Sequence, residues 1–437
     1  MVKYLLRFIE YSIDLVLIAV LFFDLTANYW VRAMVEGRVS YVILALFFWS
    51  LFLALMGKRK DMRLTGGVLR VLISIACFGA WAFVNFLFDS GDYASRLRIY
   101  TSLVAGCIIA AAGILRPGKF FDIRLLSGIY ALMIILSAYA LLFYPSYLES
   151  MNVDAPFVFY SLPGEVDKNS FAYMLLFGFL IGLYILHHIE STLPRRLMYL
   201  PQLFLVALLF NTGSRQALLM MLVFVLVYVK NIAPYLLRSR KALVRHLFFA
   251  LLAVLVLSAL VLSSGNARLL FYRLGFAPDE GGEYGETAQR SDELRKQVSA
   301  DSLGRFLSSP ITGTGPADTV IEQTQSFEVS EHNYLLHLAS SEGIIGLACF
   351  IAIFFFAYRC FHRAASRCEG KTLGDVVPVA VIQSMLAIVF LSLLFSPMKN
   401  LHWIVLAWVV NFTQMPRESA PFPPPRREEA VMIGDGI

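Results

Sequence analysis

The sequence predicts an all-α, polytopic integral membrane protein of about twelve transmembrane helices with one large outer loop carrying short helices. Three observations predict it. The 437 residues are 58% hydrophobic and 16% charged, where soluble domains have roughly 45–50% apolar and about 25% charged residues. Apolar runs such as "LLAVLVLSALVLSS" and "IIGLACFIAIFFFAY" approach the roughly 20 residues that carry a helix across about 30 Å of hydrocarbon. Alternating ten-residue segments of the kind that build membrane barrels are absent from the sequence, which leaves helices as the way to satisfy the backbone in lipid.

In chain order, the spans are expected at 9–27, 41–56, 67–88, 99–115, 126–144, 171–189, 198–212, 217–229, 246–264, 343–358, 377–396 and 401–413. "MVKYLLRFIEYSIDLVLIAVLFF" has a basic start without a small-residue cleavage pattern, so the first span is expected to stay. Lys and Arg set the orientation. With the N-terminus inside, inner segments hold Lys3, Arg7, the 58–63 cluster, Arg116, Arg195, Arg196, Arg238, Arg240, Arg359, Arg363 and others, while the short outer loops hold only Arg32, Arg38, Arg96, Arg98, Lys168, Arg215 and Lys399. Both termini are therefore expected to be cytoplasmic. The net charge of +6 then reports topology, and no compact basic domain exists to bind nucleic acid.

This divides the chain into helices one to nine (1–264), the outer loop (265–342), helices ten to twelve (343–413) and a Pro-rich, disordered inner tail (414–437). No internal repeat stands out. The five cysteines, Cys77, Cys107, Cys349, Cys360 and Cys368, fall in or beside apolar segments. The outer loop therefore has neither a disulfide framework nor a cysteine metal site.

Within the loop, acids outnumber bases. "FAPDEGGEYGE" reads as a mobile lid or hairpin. "SDELRKQVSADSLGRFL" then places Leu294, Val298, Leu303, Phe306 and Leu307 at near-helical spacing, with Ser291 as N-cap and Arg290 at its head, an amphipathic helix resting on the membrane-side core. "SSPITGTGPAD" breaks it, Gly313 and Gly315 permitting a tight bend. The "GTG" could cradle phosphate, but it lacks the following Gly-Lys-Ser/Thr and reads more simply as a turn.

Of seven histidines, His187, His188, His246 and His362 fall on the inner side and His332, His337 and His402 on the outer. His332 and His337 point about 140° apart on a helix, too far round to share a metal as an i, i+4 pair would. HExxH, cysteine clusters and Asp-x-Asp are absent from the sequence, so no catalytic metal is expected. His332 has a simple reading, an interfacial residue at the start of span ten with Asn333 as helix-start partner, and a sharper one, a general base whose imidazole accepts a hydroxyl proton near neutral pH. His337 reads as a packing or supporting residue. Arg215, in "NTGSRQALL", either snorkels to headgroups or adds a guanidinium to the N–H groups of a new helix beside Gly213, an anion site. Arg290 taken alone could be a surface ion pair with Glu286 or Glu293.

Together "GSRQALL", a loop arginine upstream of "SSPITGTG", and "EHNYLLHLASSEGIIGL" resemble the O-antigen ligase and O-antigen polymerase superfamily of bacterial inner-membrane glycosyltransferases, over roughly residues 165–358. "DKNSFAYMLLFG" at 167–178 resembles a further family segment. The His-Asn followed by an acid-Gly at the head of a span is the most specific element. Members often carry a tryptophan shortly after the loop arginine, which "RSDELRKQ" lacks, so Arg295 and Arg305 stay beside Arg290 as alternatives.

The resemblance implies transfer of a glycan from undecaprenyl diphosphate on the periplasmic face of the inner membrane, without metal or other cofactor. Arg215 and Arg290 would clamp the diphosphate, His332 would deprotonate the acceptor hydroxyl with inversion at the anomeric carbon, and Asn333, Gly313 and Gly315 would line the substrate site. An O-antigen ligase, with lipid A-core oligosaccharide as acceptor and membrane lipid as surroundings, suits the span count, single loop and chain length. The chemistry is shared with O-antigen or exopolysaccharide polymerases and with protein O-oligosaccharyltransferases, though the large periplasmic C-terminal domain common among the last is missing. From another class, an anion transporter could use Arg215, but ionisable residues within the spans are few, Asp14 and Asp24 being the main ones.

Overall fold

A computed structural model describes residues 11–12, 14–15, 65–88, 93–115, 122–143, 158–160, 165–189, 192–212, 214–237, 244, 283–315, 333–366, 373–395 and 400–414. The predicted spans at 9–27, 41–56 and 246–264 lie almost wholly outside these, as does the tail. The described residues are helical apart from one antiparallel ribbon of two three-residue strands, β1 (Val158–Tyr160) and β2 (Glu165–Asp167). The helices are α1 (Gly66–Phe88), α2 (Tyr93–Ile114), α3 (Ile123–Phe143), α4 (Lys168–His188), α5 (Thr192–Leu197), α6 (Tyr199–Asn211), α7 (Arg215–Leu236), α8 (Glu283–Ser308), α9 (Tyr334–Ala365), α10 (Leu373–Ser392) and α11 (Asn400–Phe412). By length and composition, five segments of them are apolar enough to cross a membrane: 66–88, 171–188, 193–210, 216–235 and 334–365. The chain is thus a helical membrane protein.

α11 is the post around which the rest is arranged. Every residue from Leu401 to Phe412 is buried, as expected of a helix that is apolar all round. Its few polar groups are satisfied within the bundle. Asn411 Nδ2 donates to the Gly113 carbonyl of α2 at 2.7 Å, and His402 Nε2 lies 3.2 Å from Ser392 Oγ of α10. α2 runs along α11, α9 along α1, and α7 along α10. The first of these contacts depends on a glycine, because a Cβ at Gly106 would run into the Trp403 indole.

Two sequence expectations change here. α8 begins at Glu283, so Ser291 is an interior residue rather than an N-cap, and the end of the predicted lid is the helix's first turn. Its Glu, Ala, Gln and Arg residues are good helix formers, and Glu283 and Glu286 favour the positive end of the helix dipole. The predicted tenth span begins earlier as well. α9 starts at Tyr334 and contains a non-helical residue, Gly343, at the point where the span was expected to begin.

Gly106→Ala should overpack the α2–α11 contact and lower the stability of the purified protein by about 1–3 kcal/mol, read as a reduced thermal unfolding midpoint in detergent. A second change, Trp403→Phe, should recover part of the loss.

Candidate functional site

The turn between α6 and α7 is pinned from both sides. Thr212 Oγ1 donates to the Leu209 carbonyl at 2.7 Å and accepts the Ser214 N–H at 3.3 Å. Ser214 is the N-cap of α7, its hydroxyl accepting the Ala217 N–H at 3.3 Å. This makes Arg215 the first residue of α7, at the end where the helix dipole favours an anion. The next residue, Gln216, donates through Nε2 to the Phe395 carbonyl, 2.8 Å away at the end of α10.

The start of α9 reaches the same turn. Asn333 is its N-cap, with Oδ1 accepting the Leu336 N–H at 3.0 Å, as the helix-start reading of this residue expected. The Tyr334 N–H then donates to the Leu393 carbonyl at 2.9 Å. The Tyr334 ring is buried against Phe350. Two helix N-termini, those of α7 and α9, thus meet over residues 393–395.

Nine residues after Tyr334, α9 breaks. Gly343 has φ 64° and ψ −171°, a combination that side chains other than hydrogen disfavour strongly. The break strands carbonyls on one side and N–H groups on the other, and the loop 309–315 supplies both kinds of partner. Thr314 and Gly315 N–H donate to the Ser340 and Ser341 carbonyls at 2.9 and 3.0 Å, while Ile344 and Ile345 N–H donate to the Pro310 and Ile311 carbonyls at 2.9 and 3.5 Å. Approach this close leaves no room for a Cβ at Gly343 or Gly313, each of which would strike the opposing backbone.

α1 locks the joint from the third side. Asn85 Nδ2 donates to the Thr312 carbonyl and to Glu342 Oε2, both at 2.8 Å, and Trp81 Nε1 donates to the Glu342 carbonyl at 2.8 Å. Glu342 is 1% exposed, and a carboxylate so buried needs such donors. From α8, Arg305 grips the same loop, with Nε and Nη2 donating to Thr314 Oγ1 at 3.2 and 3.1 Å and Nη2 donating to the Gly315 carbonyl at 3.2 Å.

The predicted site residues fall on these elements as follows. Arg215 heads α7 and Asn333 caps α9, so those two positions come together on the end of α10. Arg290 and Arg295 lie within α8; Arg290 sits two turns inside it rather than at its head. Gly313 and Gly315 shape the loop, and their N–H groups donate to the Ser309 and Ser341 carbonyls. His332 and Gly213 lie outside the described residues. His337 is half-buried, its ring 6.2 Å from that of Tyr334. His402, placed on the outer side from the sequence, is buried in the core beside Tyr173 and Phe177. Among the described residues no three His, Cys, Asp or Glu side chains converge.

Asn85, Trp81 and Gln216 escaped the sequence reading, which marked Glu342 only as the acid of the acid-Gly pair and not as a buried partner of α1. The signal for Asn85 was there, a lone amide in "AFVNFLF", because a polar group inside a span needs a partner.

A helical membrane bundle in which two helix starts converge beside a loop clasped onto a broken helix defines a membrane protein with its site near the ends of its helices. Residues 200–351, about a third of the chain running from α6 into α9, match the family model described as O-antigen ligase. That segment holds the site elements of α7, α8 and α9, and the match supports the resemblance to the O-antigen ligase superfamily, a glycosyltransferase-like group of ligases and polymerases. No curated protein matches the chain.

Asn85→Ala removes one donor from Glu342 and the partner of the Thr312 carbonyl, a loss of about 1–3 kcal/mol. Amide exchange over 309–315 should speed up, with overall helix content unchanged. Gly343→Ala should have the same effect more strongly, since it adds backbone strain to a steric clash. Both are measurable by hydrogen exchange with mass spectrometry in detergent.

Proposed function

We propose that this protein is an O-antigen ligase, transferring a polysaccharide from undecaprenyl diphosphate to a sugar hydroxyl of lipid A-core oligosaccharide at the periplasmic face of the inner membrane, without a metal. The observation that carries the reading is the convergence of α7 and α9 on residues 393–395, just past the end of α10. It brings the position of Arg215 toward the helix start that directly follows His332 in sequence.

In this reading Arg215 and Arg290 bind the diphosphate. Their planar guanidinium groups make bidentate contacts to phosphate oxygens and stabilise the charge that develops as the lipid diphosphate leaves. The acceptor oxygen attacks the anomeric carbon from the face opposite the diphosphate, so the configuration inverts. The sugar–phosphate C–O bond breaks, undecaprenyl diphosphate departs with the electron pair, and His332 takes the hydroxyl proton. Asn333 holds the chain next to His332 by capping α9, and Gly313 and Gly315 contribute through the shape of the loop. Arg305, already bonded to Thr314 and Gly315, is the least suited of the three loop arginines to the diphosphate.

The test uses purified protein with an undecaprenyl-diphosphate glycan and rough lipopolysaccharide, read by gel. The wild type should shift lipopolysaccharide to long-chain product in the presence of EDTA. His332→Ala should abolish the shift while the protein remains folded, and Arg215→Lys should reduce turnover by at least tenfold, about 1.4 kcal/mol or more in the barrier. Normal transfer by His332→Ala would overturn the assignment of the base. Growth of lipid-linked glycan with lipopolysaccharide untouched would make the protein a polymerase.

A further inference from the structure

The C-terminal half of α8 has two apolar sides. One faces the protein, through buried Val298 and Ser302 and half-buried Phe306. The other does not. Leu303 and Leu307, four residues apart and so on one face, are 48% and 66% exposed, and Ile311 in the following loop is 61% exposed. The predicted stripe of this helix is therefore wider than the surface it covers on the protein. Among the described side chains before Val298, the exposed ones are polar: Glu293, Lys296 and Gln297.

The depth of this apolar edge follows from its attachments. α1 has 23 residues, about 34 Å of helix, against a hydrocarbon layer of about 30 Å. Asn85, which holds the Thr312 carbonyl, lies three residues before the end of α1, about 4.5 Å back along its axis. The loop is therefore fastened at or just below the hydrocarbon boundary. On either side of the attachment lie exposed apolar residues of spans, Leu87 and Phe88 of α1 and Ile344 of α9, so the edge formed by Leu303, Leu307 and Ile311 continues a lipid-facing surface.

A loop at that depth needs protein partners for its backbone carbonyls, and the carbonyls of this one have them. The carbonyls of Ser309, Pro310, Ile311 and Thr312 accept from Gly313 N, Ile344 N, Ile345 N and Asn85 Nδ2, and the N–H groups of Gly313, Thr314 and Gly315 all donate within the protein. Asp301 and Ser308 lie about 100° or more round the helix from Leu307 or Leu303, off the apolar edge.

We propose that the C-terminal half of α8 and the loop 309–312 are immersed in the bilayer leaflet next to the α1 C-terminus, with Leu303, Leu307 and Ile311 among acyl chains and the Glu293–Gln297 half in water. The partner of this surface is phospholipid. α8 then enters the membrane obliquely as an interfacial helix, and the loop that carries Arg290 is a membrane-anchored element rather than a free aqueous one. The proposal does not depend on the catalytic reading.

The test places single nitroxide labels, through Leu303→Cys, Leu307→Cys, Ile311→Cys, Glu293→Cys and Lys296→Cys, in protein whose five native cysteines are replaced and whose helix content is unchanged. It is reconstituted in phosphatidylethanolamine and phosphatidylglycerol vesicles, and collision with oxygen is compared with collision with a water-soluble nickel complex. The labels at 303, 307 and 311 should favour oxygen by several-fold and those at 293 and 296 should favour nickel. Nickel access at 303 and 307 equal to that at 293 would overturn the proposal. Shielding from both reagents would overturn it too, since protein, whether another part of the chain or a second copy, would then cover the face. None of these outcomes depends on whether His332→Ala retains transfer.

Discussion

The break in α9 at Gly343 is the constraint on which the rest of the site depends. A helix interrupted inside an apolar segment of spanning length exposes carbonyls on one side of the break and N–H groups on the other, and these need partners within the protein. The loop 309–315 answers both sets at once, giving two N–H groups to Ser340 and Ser341 and two carbonyls to Ile344 and Ile345. Each partner alone would leave these groups unpaired. The loop needs the broken helix as much as the helix needs the loop, so the end of α8 and the middle of α9 are joined as one unit.

This mutual dependence explains the residue types around it. Glycines stand at 343 and 313 because the two backbones approach too closely for a Cβ on either side, and because their positive φ values of 64° and 79° suit residues without one. Glu342 and Asn85 then add specificity. A buried carboxylate tolerates few positions, and Asn85 reads both Glu342 and the loop carbonyl with one amide, so a shift of the loop along α1 would leave the acid without that donor. Arg305 fixes the remaining side through Thr314.

Much of the helical plan was legible in the sequence, since apolar length marks a span whatever it packs against. The cap at Asn333 was legible too, because it is local: its side chain bonds a backbone N–H three residues on. What could not be read was any partnership made across the fold. Asn85 and Glu342 are 257 residues apart, and neither residue's neighbours announce the other. The start of α8 was missed for a different reason. Glycines in "EGGEYGE" suggested a break, but the three-dimensional chain tolerates Gly285 within a helix whose other residues favour it. The break at Gly343 was read differently: Ser340-Ser341-Glu342-Gly343 looks like the head of a span, and only the structure shows a helix already running from Tyr334 up to it.

The arrangement also separates two jobs that the sequence left mixed among the arginines. Arg305 sits where α8 meets the clasped loop, and its donors go to Thr314 and Gly315. Arg290 lies about four turns further from that joint along the same helix. A clasp at one end of a stiff helix fixes the direction of the other end, so the direction of α8, on which Arg290 lies, is governed by hydrogen bonds made at Asn85, Glu342 and Thr314. The short first segment of α9, from Tyr334 to the break, performs the matching task on the other side. One end is capped by Asn333 and tied to the end of α10, the other is held by the clasp. In the proposed function, a free loop with the same arginine would have to order it anew at each encounter with a lipid-borne anion; a loop tied to the helices of the bundle has already lost that freedom in folding.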